Sequence, residues 1–234
     1  MVHDSAKNAS AVATRTPVVL PPIVIDTTAE QIVELWPLKV TPERQIEETR
    51  RIVEQLQAEL SLQAGFLHAV VLASGDGAGL VLLCAWQDDG SADRGDLRLA
   101  EWLRVDADTA LLRRRIGTAT PRVRIRRTAG ARPTLTTTAM LQLTRYVMKQ
   151  GHSFTALAAL ADSNLAMSVL QDTAAAGGAT LMAADSGALY MLLQARNATA
   201  LDPGLRAGGS LPFWAPFADR EEQLLAVVAI IRPR

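Results

Sequence analysis

The constraint that most limits how this chain can fold is an order of elements that occurs twice. From residue 31 to 128 the pattern is strand, helix, strand, strand, helix, strand, and from residue 134 onward the order recurs at an offset of roughly 104 residues. In the first pass, Gln31–Val40 is strand-like. Thr41-Pro42-Glu43 then starts a helix with a cap, a proline at the first helical position and an acid in the first turn. That helix runs to about Ser61, with Ile46, Val53, Leu56 and Leu60 on its apolar side. Phe66–Ala73 and Leu80–Trp86 form a hairpin across Ser74–Gly79. A phosphate-cradling loop is the rival reading of those glycines. It fails because no Lys-Ser/Thr follows and a strand, not a helix, comes next. Asp93–Gly117 is helical, and Pro121–Thr128 alternates Val123 and Ile125 against Arg122, Arg124 and Arg126.

The second pass begins after a Gly/Pro/Arg linker ending at Pro133. Thr134–Met148 is one long strand. Ser153 caps a helix from Phe154 to about Ala175, which Gly177-Gly178 ends. Strands follow at Ala179–Ala184 and Ala188–Arg196, turning at Asp185-Ser186-Gly187. Residues 197–223 make a loop and Leu224–Ile231 is the last strand. Each pass matches the ferredoxin-like plan, in which helices cover one face of a four-stranded antiparallel sheet and the other face needs a partner. The expected fold is therefore α+β: two tandem ferredoxin-like repeats forming a pseudo-dimeric α+β barrel. Residues 1–30 form a partly flexible N-terminal arm, 31–128 the first repeat and 134–234 the second.

Composition narrows the function. The 24 basic and 24 acidic residues cancel, so the eight arginines between Arg113 and Arg132 read as a solvated face and a nucleic-acid partner is not expected. One cysteine and three scattered histidines give no conventional metal site and no disulfide framework. No stretch is long and apolar enough to span a membrane, and Met1–Thr16 lacks the apolar core of an export signal, which makes the cytoplasm the expected location.

The segment Trp36-Pro37-Leu38-Lys39-Val40, the helix to Ala64-Gly65-Phe66-Leu67 and the strand ending Cys84-Ala85-Trp86-Gln87-Asp88 resemble the antibiotic biosynthesis monooxygenase family. Pro212–Asp219, before the last strand, is similar to tandem members such as the angucycline ring-opening oxygenases. Gln194 stands in the second repeat where Trp86 stands in the first, a departure from the pattern. The resemblance implies an oxygenase without metal or tightly bound flavin. It would oxidise a polycyclic aromatic polyketide, from phenol or hydroquinone to quinone or by oxidative ring opening. Molecular oxygen is the co-substrate, and a separate flavin reductase is one source of reduced substrate. A non-oxidative cyclase, isomerase or ligand-binding protein on the same scaffold is the alternative, and a homodimer is left open.

Candidate site residues follow from strand alternation. On Thr134–Met148 the even positions, among them Met140, Gln142 and Tyr146, make a mixed polar face suited either to a cavity or to solvent. Tyr190, Gln194 and Arg196 share a face, with Tyr190 as a donor to a substrate oxygen and Arg196 as a phenolate stabiliser. His68 is either a general base or a buried structural histidine. Trp36 and Trp86 are stacking walls or core, and Trp214 is a lid or a loop anchor. The expected site is an apolar cavity inside the barrel, walled by Trp36, Trp86, Met140 and Tyr190, with His68, Gln142 and Arg196 as polar contacts.

Overall fold

The computed structural model describes residues 21–26, 31–87, 122–171, 175–183, 188–196 and 214–234. The expected leader, the helix over 93–117, the turn at 185–187 and most of the loop over 197–223 lie outside the described residues. The strands are β1 (Ile23–Val24), β2 (Gln31–Lys39), β3 (Phe66–Ser74), β4 (Gly79–Gln87), β5 (Arg122–Gly130), β6 (Thr134–Leu135), β7 (Met140–Met148), β8 (Ala175–Ala183), β9 (Ala188–Ala195) and β10 (Ala218–Ile231). The described helices are α1 (Gln45–Ala58) and α2 (Phe154–Gln171).

Eight strands close into an antiparallel barrel in the order β10-β3-β4-β2-β5-β8-β9-β7. Closure depends on β10, whose first part pairs with β7 from Ala218 to Ala226 and whose last part pairs with β3 from Leu225 to Ile231. Its polar start, Asp219 to Gln223, is strand rather than the expected loop, because the ladder to β7 satisfies its backbone.

Three apolar clusters follow from alternation. The barrel interior holds Val33, Leu35, Val70, Leu72, Val81, Leu83, Val123, Leu141, Leu143, Leu181, Leu192, Leu225 and Val227 among others. Outside, α1 covers one part of the barrel with Ile52 and Leu56 on Trp36, Leu82, Trp86 and Phe66. α2 covers another part, packing Leu157, Ala161 and Leu165 against Tyr146, Leu189, Met191 and Leu193. An eight-stranded barrel is just wide enough to be filled by its own side chains, so its interior is packed core, and the two helices bury the outward faces of β4 and β9 as completely.

That geometry corrects the facing expected for β7. Its apolar odd positions Leu141 and Leu143 point into the barrel, and its mixed even positions face outward, towards the α2 side. The strand is also broken: Thr134–Leu135 pairs with the N-terminal arm as β6, and a turn at residues 137–138 separates it from β7. α1 starts at Gln45 rather than at the Thr41-Pro42-Glu43 signal, with Arg44 at the N-cap. Gln45 there donates through Nε2 to the carbonyls of Ser74 and Gly79, tying the helix to the hairpin. The buried side of α1 carries Glu48, Ile52 and Leu56, whereas Ile46 is 84% exposed. Glu48 tolerates burial because Arg51 (2.9 Å) and Arg44 (3.5 Å) flank it.

Gly177 and Gly178 lie inside β8 and do not cap α2. A Cβ on Gly177 would lie 1.7 Å from the Ala131 carbonyl oxygen, and one on Gly178 would lie 2.5 Å from Leu165 Cδ1. Both glycines mark close approach of neighbouring backbone and helix, which is the other meaning of glycine in a strand. Among the described residues no helix is long and apolar enough to cross a membrane.

Candidate functional site

The barrel interior offers two small spaces at different levels. The first is about 10 Å³ and is lined by Val24, Ile25, Val33, His68, Leu83, Ile125 and Leu181. Here the N-terminal arm plugs the barrel: Ile23 and Ile25 are buried in its core, β1 pairs with β6, and Asp26 meets Arg132 at 2.5 Å. His68 is held by burial, and then by the Arg232 charge, at a pKa of about 4. It is therefore a neutral imidazole near pH 7 and a weak base. The second space is about 30 Å³ and is lined by Leu35, Pro37, Leu143, Arg145, Tyr190, Glu221 and Gln223. Neither of these two spaces has room for a planar polycyclic ligand.

The three residues expected to be catalytic do not meet. His68 and Tyr190 line different spaces. Arg196 is exposed just beyond β9 and donates from Nε to the Ala175 carbonyl, pinning β8 to β9. Gln194 faces Thr134, giving its Nε2 to the Thr134 carbonyl (2.8 Å) and receiving the Thr134 N–H (2.7 Å), which clamps β6 to the barrel. Trp36 and Trp86 are buried on the α1 side, outside the barrel. Trp86 packs edge-on against Phe66 and donates its indole N–H to Glu34 at 3.2 Å. Met140 sits half-buried at the start of β7, opposite Ala226.

The remaining expected residues do come together, on the outward face of β7 and β10. Tyr146 and Trp214 make an edge-to-face pair at 6.1 Å. The Arg220 guanidinium lies 5.3 Å from the Trp214 ring and pairs with Glu222. Gln142 donates to the same Glu222 carboxylate. Between Gln142 and Tyr146 lies Thr144, fully buried, with a hydroxyl that has no hydrogen-bond partner among the described residues. Burial pushes the Tyr146 phenol up, against the opposing pull of Arg220 and a hydrogen bond with Asn164 on α2, so the hydroxyl stays protonated near neutral pH. Register produces this grouping: Tyr146 is opposite Arg220, and Thr144 opposite Glu222, in the β7–β10 ladder.

Chemically, the accessible part of this grouping is the half-buried Trp214 ring with the exposed Arg220 cation and Glu222 carboxylate, and the Tyr146 phenol, the Gln142 amide and the Thr144 hydroxyl lie buried behind them. Thr144, Arg220 and Glu222 were not among the residues expected from sequence. The signal for Arg220 and Glu222 was hidden by reading 197–223 as loop, because alternation has meaning only once the segment is known to be strand. Among the described residues no group of three or more His, Cys, Asp or Glu is placed to hold a metal ion. Cys84 is buried, and burial followed by the Glu34 charge raises its thiol pKa well above the ordinary value.

No protein-family model matches this chain, and no curated protein matches it in sequence. Solved structures do match in fold. An anthrone oxidase-like protein is similar with a TM-score of 0.63 at 14% identity, over 90% of this chain and 96% of that one. A protein assigned as a monooxygenase from Fusobacterium nucleatum subsp. nucleatum is similar with a TM-score of 0.57 at 8% identity, over 88% of this chain and 95% of that one. At such identities the likeness concerns the fold.

Proposed function

We propose that this protein is an oxygenase acting on a flat polycyclic phenol or hydroquinone, without a metal or a tightly held flavin. The substrate would bind at the outward face of β7 and β10. The observation that carries the reading is the Tyr146–Trp214–Arg220 assembly, an edge-to-face aromatic pair with a guanidinium beside it. Names borne by fold neighbours, anthrone oxidase-like and monooxygenase, point to the same chemistry. The strand order β3-β4-β2-β5 in the first half and β8-β9-β7-β10 in the second puts elements of equal rank at equal positions. We take this as two fused ferredoxin-like units, divided near residues 129–133.

The chemistry uses groups already present. A polycyclic phenol lies along Trp214 and loses its proton to an acceptor such as Glu222. Arg220 then stabilises the resulting anion. The electron-rich anion passes one electron to O₂, the two radicals combine to a peroxide anion, and the proton taken up by Glu222 returns to give the hydroperoxide. For an anthrone methylene, collapse of that hydroperoxide leaves one oxygen atom as the new carbonyl and releases the other in water. The chain's part is to hold the ring, stabilise the anion and exclude bulk water.

The test is oxygen uptake on adding an anthrone to the purified protein, with and without a chelator. Uptake matched by quinone formation, unaffected by the chelator, is the expected result. Conversion of the probe to an isomer or a cyclised product without oxygen uptake would overturn the oxygenase reading and favour a non-oxidative enzyme on this scaffold.

A further inference from the structure

The outward site leaves unexplained a row of polar side chains at the interior end lined by Leu35 and Pro37. Tyr190 on β9, Arg145 on β7 and Glu221 on β10 are direct neighbours in register and all face the barrel lumen. They border the space of about 30 Å³, whose other walls are Leu35, Pro37, Leu143 and Gln223. Arg145 gives Nη1 to Glu221 Oε2 at 3.0 Å and also donates to the Tyr190 hydroxyl oxygen. The Arg145 Nε–H, buried, has no acceptor among the described residues. Of the ion pair, the arginine side chain is 17% exposed and the glutamate 62%.

We propose that this end of the barrel binds a small planar monocarboxylate of formate or acetate size. A guanidinium presents two parallel donors to a carboxylate, and a buried one with an unmatched donor is a half-completed fork. Glu221 holds the guanidinium from the solvent side through one nitrogen, and an exposed carboxylate in such a pair is readily displaced. The incoming carboxylate takes the Nε–H, and the Tyr190 hydroxyl, kept protonated by burial, is a second donor within reach. Leu35, Pro37 and Leu143 accept a hydrogen or a methyl group and nothing polar. The nearby Glu221 charge disfavours a dianion, which sets the selectivity against sulfate and phosphate.

The experiment titrates the full-length protein with sodium acetate and sodium formate at constant ionic strength. It follows the Arg145 Nε–Hε signal by NMR and the melting temperature in parallel, with chloride and sulfate as controls. The expected result is saturable binding with Kd of about 1–10 mM for acetate, absent with chloride and sulfate. Glu221→Gln, at an exposed position, should tighten acetate about tenfold because the competing charge is gone, and Tyr190→Phe should weaken it about threefold. Arg145→Gln should abolish the saturable melting-temperature response. No saturable change in the Nε–Hε signal up to about 100 mM acetate would overturn the proposal, as would an equal response to chloride or unchanged affinity in Glu221→Gln.

Discussion

His68 shows how position changes what a residue type can do. In an open site an imidazole titrates near pH 6.5, but here burial and the Arg232 charge hold it at about 4. The sign of its effect on stability follows: between those two values the unfolded chain binds the proton and the folded chain does not, so stability falls as pH drops from 6.5 towards 4. Allowing for its partial exposure, the loss is about 1–3 kcal/mol. His68→Gln should remove that part of the acid dependence, read as the difference between wild-type and variant urea midpoints at pH 7 and pH 4.5. If the two proteins lose stability in parallel, the histidine is not the titrating group. Arg220 tests the proposed site in a different way. Its guanidinium has an exposed route to solvent and its loss leaves the core intact, so Arg220→Gln should fold normally. Turnover in the oxygen-uptake assay should fall about 10²-fold, with substrate affinity changed much less, because the charge is needed most when the anion forms. An Arg220→Gln enzyme with wild-type turnover would exclude the guanidinium from the reaction.

At the scale of elements, β8 carries a sharp test of close packing. Gly177→Ala forces a Cβ to 1.7 Å from the Ala131 carbonyl oxygen, whereas at Gly75 in the hairpin a Cβ meets nothing within 4 Å. Gly177→Ala should cost more than about 3 kcal/mol and Gly75→Ala less than about 0.5 kcal/mol, both measured by denaturant unfolding. The same strand shows what the sequence leaves hidden. Two adjacent glycines after an apolar helix carry the local signature of a helix end, and only the approach of β5 and α2 turns them into strand residues. Elements whose signal is local were legible: the β3–β4 turn needs only Ser74, which accepts the Gly79 N–H and donates to Asp76, and the Gly77 conformation at φ 76°. The facing of β7 was not legible, because both faces of the strand are buried and which one turns inward depends on closure by β10, far away in sequence. One mark was visible in hindsight: Arg145 interrupts the inward series Leu141, Leu143, yet its partner Glu221 becomes a neighbour only through the ladder. Thus Tyr146 and Trp214 were singled out separately and meet only because the turn over 214–217 leads into β10 beside β7.

The barrel is held closed by two junctions between residues 1–133 and the rest of the chain, β5 with β8 and β10 with β3, and the short β1–β6 pair joins them a third time outside the barrel ladder. Each half on its own would keep one sheet and lose both junctions, leaving β3 and β5 in the first half as long edges with unmet backbone donors and acceptors. The interior face of that sheet, with Val33, Leu35, Val70, Leu72, Val81 and Leu83, would face water as well. Neither exposure is sustainable for a soluble monomer. A second copy of the same half can meet both needs, since the edge that takes β8 can take β3 of the copy and the reverse. Such a pairing is two-fold symmetric and closes without leaving an edge. Expressed alone, residues 1–133 should therefore form a dimer, at about twice the monomer mass by sedimentation velocity, or else aggregate. A charge placed on the inner face, Leu72→Lys, should block the dimer by burying an unpaired ammonium. A folded, monomeric half with dispersed amide resonances would show that closure of the barrel is not what stabilises the sheet.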